Sequence, residues 1–222
     1  MKKISIKKII ATSVISLFFM QAFYVLVAEP EIVVAANTTS VVVNLGVTSG
    51  LSLSNGADVV MLPALGIGQN KAVGGSSWVA TTNNYLGYTL SVKASTSPAL
   101  KGTAPNTDSF LDYTEAIAGT PDVWGGVAST TKEFGYSANG LNTPTATWGT
   151  TSTGCGNTGN GAVDIASKYR GLTTGDIQIA SLGAMTTPSG VTTNICFAAE
   201  QNNVYAASGA FTATITATMV TP

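Results

Sequence analysis

Trp78 to Ser95 reads WVATTNNYLGYTLSVKAS, two apolar-alternating runs hinged on Thr82, Asn83, Asn84 and Gly87. In the second run Tyr88, Leu90 and Val92 fall on one side and Thr89, Ser91 and Lys93 on the other. A period of two gives one dry and one wet face only on an extended backbone. The stretch predicts two β-strands and, with the patterns around it, an all-β fold built as an antiparallel β-sandwich.

Composition supports that class. A chain of 222 residues with 45% apolar side chains can bury a substantial core, yet only 9% of its residues are charged, against roughly 25% in ordinary soluble domains. Thr, Ser, Asn and Gly supply the polarity instead. Such a surface suits an extracellular β protein and lacks the basic field that nucleic acid requires.

The N-terminus sets the compartment. Lys2, Lys3, Lys7 and Lys8 precede an apolar run from Ile9 to Ala28, and Val34-Ala35-Ala36 offers small residues for cleavage before Asn37. Residues 1–36 read as a secretory signal peptide and 37–222 as one β-sandwich domain. The run of about 20 apolar residues is long for a signal peptide, so an uncleaved membrane anchor is the alternative. Removing the leader takes 10 basic and 11 acidic residues to 6 and 9, a net charge of −3.

Cys155 and Cys196 lie in the exported portion, where two thiols usually pair. Closing a loop of about 40 residues contributes roughly 4 kcal/mol in the chain-entropy model. The chain has no His, and neither cysteine has another nearby, so zinc, haem and Cys-His catalysis lack their usual ligands. No cofactor and no metal site is expected.

From Asn37 strand and turn patterns dominate. Thr38 to Leu45 is a β-branched run that predicts a first strand; Leu51 and Leu53 alternate with Ser52 and Ser54 before the turn pair Asn55-Gly56. Val59 to Leu62 is another short apolar run. Phe110, Tyr113 and Ile117 have helical spacing and predict a short helix or covering loop ended by Gly119 and Pro121. Trp124, Phe134 and Tyr136 read as core aromatics, whereas Trp148, set among Thr and Gly, is the aromatic expected at the surface. Thr150 to Gly161 reads as a surface loop tethered by the disulfide, and Asn157, Asn160 and Asp164 match no calcium loop. Near the end, Ile195 and Phe197 alternate with Cys196, and Phe211, Ala213, Ile215, Ala217 and Met219 alternate with four threonines in one long strand.

TTNNYLGYTLSV and the closing SGAFTATITATM resemble bacterial surface β-sandwich proteins related to the WxL cell-wall-binding domain. The resemblance rests on Gly87-Tyr88-Thr89-Leu90 and on Phe211, Ala213, Thr214, Ile215 and Thr216. It implies an Ig-like sandwich at the cell surface and association with cell wall. The Trp-x-Leu motifs themselves are missing: the three tryptophans stand in Trp78-Val79-Ala80, Trp124-Gly125-Gly126 and Trp148-Gly149-Thr150. The closing strand, preceded by Ala207-Ser208-Gly209, is also similar to spore-coat-U and fimbrial subunits.

Catalysis would have to proceed without His, and the only carboxylate grouping in sequence is Asp108, Asp112 and Glu115, which reads as a solvated turn. No nucleophile elbow or phosphate loop is present. The expectation is a secreted, non-catalytic bacterial cell-surface protein engaged in adhesion or noncovalent cell-wall association, its partner a wall polymer or another surface protein. The alternative is a subunit of a pilus, fibre or surface layer, with Thr38 to Leu45 adding a strand to a neighbour's sheet.

Overall fold

A computed structural model of the chain describes residues 13–21, 42–150 and 155–222, and the chain divides into units 1–46 and 47–222. In the first unit residues 13–21 are helical, with Phe18 and Phe19 exposed. The remainder of the leader, the cleavage site and Thr38 to Val41 lie outside the described residues. Among the described residues no helix is long and apolar enough to cross a membrane. Val42 to Leu45 form no strand, and Val42, Val43 and Leu45 are exposed, which corrects the expected first strand over that part.

The second unit is all-β. In chain order its strands are β1 (Leu51–Leu53), β2 (Lys71–Thr82), β3 (Tyr88–Ala94), β4 (Leu100–Gly102), β5 (Ser109–Asp112), β6 (Asp122–Val123), β7 (Thr131–Gly140), β8 (Gly156–Asn157), β9 (Ala162–Val163), β10 (Lys168–Gly171), β11 (Ile177–Leu182), β12 (Val191–Asn202), β13 (Phe211–Thr212) and β14 (Ile215–Val220). A nine-stranded sheet runs β1-β2-β12-β7-β5-β4-β13, with β10 joining β7 and β6 beside it. A three-stranded sheet runs β11-β3-β14, and β8 and β9 form a separate hairpin. Pairing is antiparallel except between β5 and β7, which run parallel through Leu111 beside Glu133. The large sheet is therefore mixed, a correction to the purely antiparallel expectation.

The opening stretch forms both its predicted strands, but they do not pair with each other. β2 bonds to β1 and β12, while β3 bonds to β11 and β14. The loop between them crosses from one sheet to the other. Gly87 permits the crossing: its φ is +80°, and a Cβ there would lie 1.7 Å from the Leu182 carbonyl oxygen. Any side chain would collide with that backbone and be strained as well. Along β3, Tyr88, Leu90, Val92 and Ala94 are all buried and the residues between them half-buried, as the alternation predicts.

The main core joins these residues to Trp78 and Ala80 of β2, Phe134, Tyr136 and Ala138 of β7, and Ile195, Phe197 and Ala199 of β12. A smaller cluster on the opposite face of the large sheet gathers Val73, Tyr113, Trp124, Val127, Tyr169 and Ala198. Both faces of β12 are thus covered. Its alternation is masked in sequence because inward and outward residues alike are buried, as in strands covered on both sides.

Three further expectations change. Phe110 sits in strand β5, Tyr113 stacks on Trp124 at 4.3 Å, and Ile117 is exposed in a turn bridged to Thr120, so the expected short helix does not form. Trp148 is only 2% exposed and packs 5.2 Å from the Tyr136 ring. A single helical turn, Thr145–Trp148, folds it inward, which overrides the polarity of its sequence neighbours. The closing strand breaks at Ala213 and Thr214: Phe211 pairs across the large sheet with Gly102, and Ile215 across the small one with Ala94.

Replacing Ile195 by Ala removes a fully buried group at the junction of β2, β12 and β7. It is expected to cost about 2–5 kcal/mol in denaturant unfolding. Thr218→Val on the exposed face of β14 should stay within about 0.5 kcal/mol of the parent. Equal costs at the two positions would contradict this placement of the core.

Candidate functional site

The three carboxylates that cluster in sequence are separated by the fold, each tied to its own segment. Asp108 pairs with Lys132, Oδ2 to Nζ 2.6 Å, and accepts the Ala207 N–H at 2.8 Å. Burial pushes its carboxyl up, but the bonds from Lys132, Ala207 and Ser109 outweigh that and hold it below the usual range. Asp112 accepts the Ser97 hydroxyl at 2.7 Å and the Ala99 N–H at 2.9 Å. Glu115 accepts the Gly171 N–H at 3.1 Å and lies 3.5 Å from Arg170 Nε. Among the described residues no three acidic or cysteine side chains converge as a metal site would require.

The amide-rich loop is equally committed. Asn157 accepts the Gly159 N–H, Asn160 the Ala162 N–H, and Asp164 the Ala166 N–H, each two residues ahead. These are local turns in which the side-chain oxygen holds the backbone.

Cys155 and Cys196 form a disulfide, as the sequence predicts, with Cα atoms 4.9 Å apart. It fastens the segment before β8 to the outer face of β12. Cys196 is opposite Gly75 of β2, and a Cβ on Gly75 would meet Cys155 Sγ at 2.2 Å. The bridge therefore lies over β2 where that strand has no side chain.

Sequence reasoning missed the most concentrated polar arrangement. On the same outer face Glu133 of β7 and Glu200 of β12 are direct cross-strand partners, and both are buried. Glu200 Oε2 accepts the Trp124 indole N–H at 2.6 Å and lies 3.4 Å from Lys71 Nζ. Glu133 Oε2 accepts the Thr114 N–H at 3.1 Å. Tyr113, stacked on Trp124, donates its hydroxyl to Asp122 at 2.8 Å. Burial, with the neighbouring carboxylate of Asp122, pushes the Tyr113 phenol well above its ordinary value. Residues 133 and 200 stand far apart in the chain, so only strand register could have revealed the pair.

Burial raises the Glu133 carboxyl above its ordinary value, and the charge of Glu200 adds to the effect against the Thr114 N–H. The geometry pins the Trp124 segment onto the sheet: two acids are held between an indole, an ammonium and a backbone donor. No protein-family model, curated protein or solved structure matches the chain.

Because the folded Glu133 holds its proton more tightly than the unfolded side chain, its contribution to stability falls as pH rises from its unfolded pKa through its raised folded one. Glu133→Gln, which keeps an acceptor for Thr114, is expected to remove that fall and to stabilise the protein at neutral pH. Unfolding curves across pH 4 to 8 measure it; a parent and variant with parallel pH profiles would refute the assignment. Separately, Gly75→Ala should displace the disulfide. A stability loss that shrinks when parent and variant are both reduced is the expected signature, the remainder coming from the Ile195 carbonyl oxygen 3.1 Å from the added Cβ; the part that reduction removes is at most the bridge's contribution of about 4 kcal/mol.

Proposed function

We propose that this chain is an exported, non-catalytic bacterial cell-surface protein that works by adhesion or by noncovalent association with cell-wall polymer. In this reading the two sheets flanking the main core are the layers of a sandwich of the Ig-like, WxL-like kind. The observation that carries it is the Cys155–Cys196 bridge, a bond that persists in oxidising compartments outside the cytosol. It agrees with the basic, then apolar leader. Contact with a partner falls to hydroxyls and amides, among them the exposed Thr216 and Thr218 of β14.

One observation favours the second reading, a subunit that assembles by strand addition. β14, six residues long, has a strand partner on one side only, β3. The inward residues Ile215, Ala217 and Met219 are only half-buried, while Val42, Val43 and Leu45 are exposed upstream. An apolar, β-branched segment and an open strand edge are the two parts that strand addition joins.

The exported protein, its N-terminus fixed by mass spectrometry, is to be tested against intact wall, soluble glycans and itself. Retention on wall with a monomeric gel-filtration profile is expected. Polymers that disappear on deleting residues 37–46, with folding intact, would replace adhesion by assembly. Binding to nothing together with a cytosolic location would remove both readings.

A further inference from the structure

One end of the second unit carries no charged side chain. Strand registers bring its parts together: Leu51 pairs with Thr82, Val191 with Ala80, Thr193 with Gly140, Leu182 with Tyr88 and Val220 with Thr89. The loops here are 47–50, 83–87, 141–144 and 183–190, and none contains Asp, Glu, Lys or Arg. They are bonded to one another. Asn83 accepts the Gly50 N–H and donates to the Thr48 carbonyl, Thr186 N–H donates to the Thr82 carbonyl, and Ser181 N–H donates to the Asn142 carbonyl. The opposite end holds the Asp108–Lys132 and Lys93–Asp176 pairs.

The uncharged loops present large apolar side chains to solvent. Val47 is 77% exposed, Tyr85 76%, Leu141 100% and Met185 63%, with Leu86 half exposed beside them. Scattered exposed apolar residues are ordinary, but a group at one end whose loops carry no charged side chain marks a contact surface. Val47 is also where the chain enters this unit. In the uncleaved alternative the apolar leader run ends at Ala28, and the 18 residues between reach at most about 60 Å when extended.

We propose that this end seats on the lipid bilayer, with Val47, Tyr85, Leu86, Leu141 and Met185 entering the interfacial zone. Aliphatic tips with a tyrosine among them match that zone, where one end of an aromatic is apolar and the other wet. A glycan needs free polar handles beside the aromatic. Here the Asn83 amide is spent on Gly50 and Thr48, and the Asn84 oxygen accepts the Leu86 N–H at 2.9 Å. With no Lys or Arg in these loops, seating does not depend on anionic lipid. The inference goes beyond adhesion and wall association and does not require either.

The native tryptophans are 8%, 6% and 2% exposed, so a new one reports its own position. Tyr85→Trp is to be compared with Tyr205→Trp, which follows the far end of the 12-residue β12, a strand about 36 Å long. The exported protein is mixed with phosphatidylcholine vesicles, with and without brominated chains. Tyr85→Trp should shift to shorter wavelength and be quenched by brominated lipid, equally at low and high salt, while Tyr205→Trp should not respond. Tyr85→Ser with Met185→Ser should weaken vesicle binding at least about tenfold, with far-ultraviolet circular dichroism unchanged. No response at position 85, or equal responses at both positions, would overturn the proposal. So would a lipid-free shift at position 85 that grows with protein concentration, since a second copy would then cover this end.

Discussion

Strand β12 is the member on which the other parts of the second unit depend. It pairs along ten residues with β2 on one side and ten with β7 on the other, so its backbone donors and acceptors are taken up within the sheet, as burial demands. Its two faces then serve different ends. Ile195, Phe197 and Ala199 enter the main core, while Cys196, Ala198 and Glu200 hold down the disulfide, the small aromatic cluster and the Trp124 segment. A shift of register by one residue would exchange these faces, placing a carboxylate in the main core and an isoleucine against the disulfide loop. The bridge and the Trp124 to Glu200 bond both oppose that slip, since each fixes an outward residue of β12 to a separate segment.

Strands with one wet face were legible in the sequence. β3 alternates as its residues predict, and the disulfide follows from two cysteines in a chain without histidine. β12 was legible only at Ile195 and Phe197, because a strand covered on both faces loses the contrast that a period of two supplies. The burial of Trp148 is hidden for a related reason: its neighbours are small and polar, but Tyr136, which covers it, comes from a strand that no local pattern links to it. The parallel pairing of β5 with β7, and the crossing between β2 and β3, lie beyond local patterns altogether. Helical spacing at Phe110, Tyr113 and Ile117 was a coincidence of three residues that serve a core strand, a stacked pair and an exposed turn.

The Glu133 and Glu200 arrangement shows that nearness in the chain does not find the acids that adjoin in the fold. Asp108, Asp112 and Glu115 are near one another in the chain, yet each is bonded to its own loop. The two acids that do adjoin are brought together by register, where like charges side by side are unfavourable. Lys71, the Trp124 indole and the Thr114 N–H offset that repulsion from outside the pair. Removing one of these donors leaves a buried carboxylate less compensated, which is costlier than never having placed it there. The network is therefore a fastening for the 113–127 segment.

A chain so poor in charge has few means of keeping its surface specific, and this one places those it has unevenly. Charges gather where long loops must be held to the large sheet, at Asp108 with Lys132 and Glu115 with Arg170. At the other end the loops are short or internally bonded, and backbone hydrogen bonds together with Gly87 hold them without ion pairs. Economy of charge there leaves apolar tips that water does not favour and that no described segment covers. The same physical choice, amides and glycine in place of ions, thus fixes the loop conformations and determines what kind of surface they can meet.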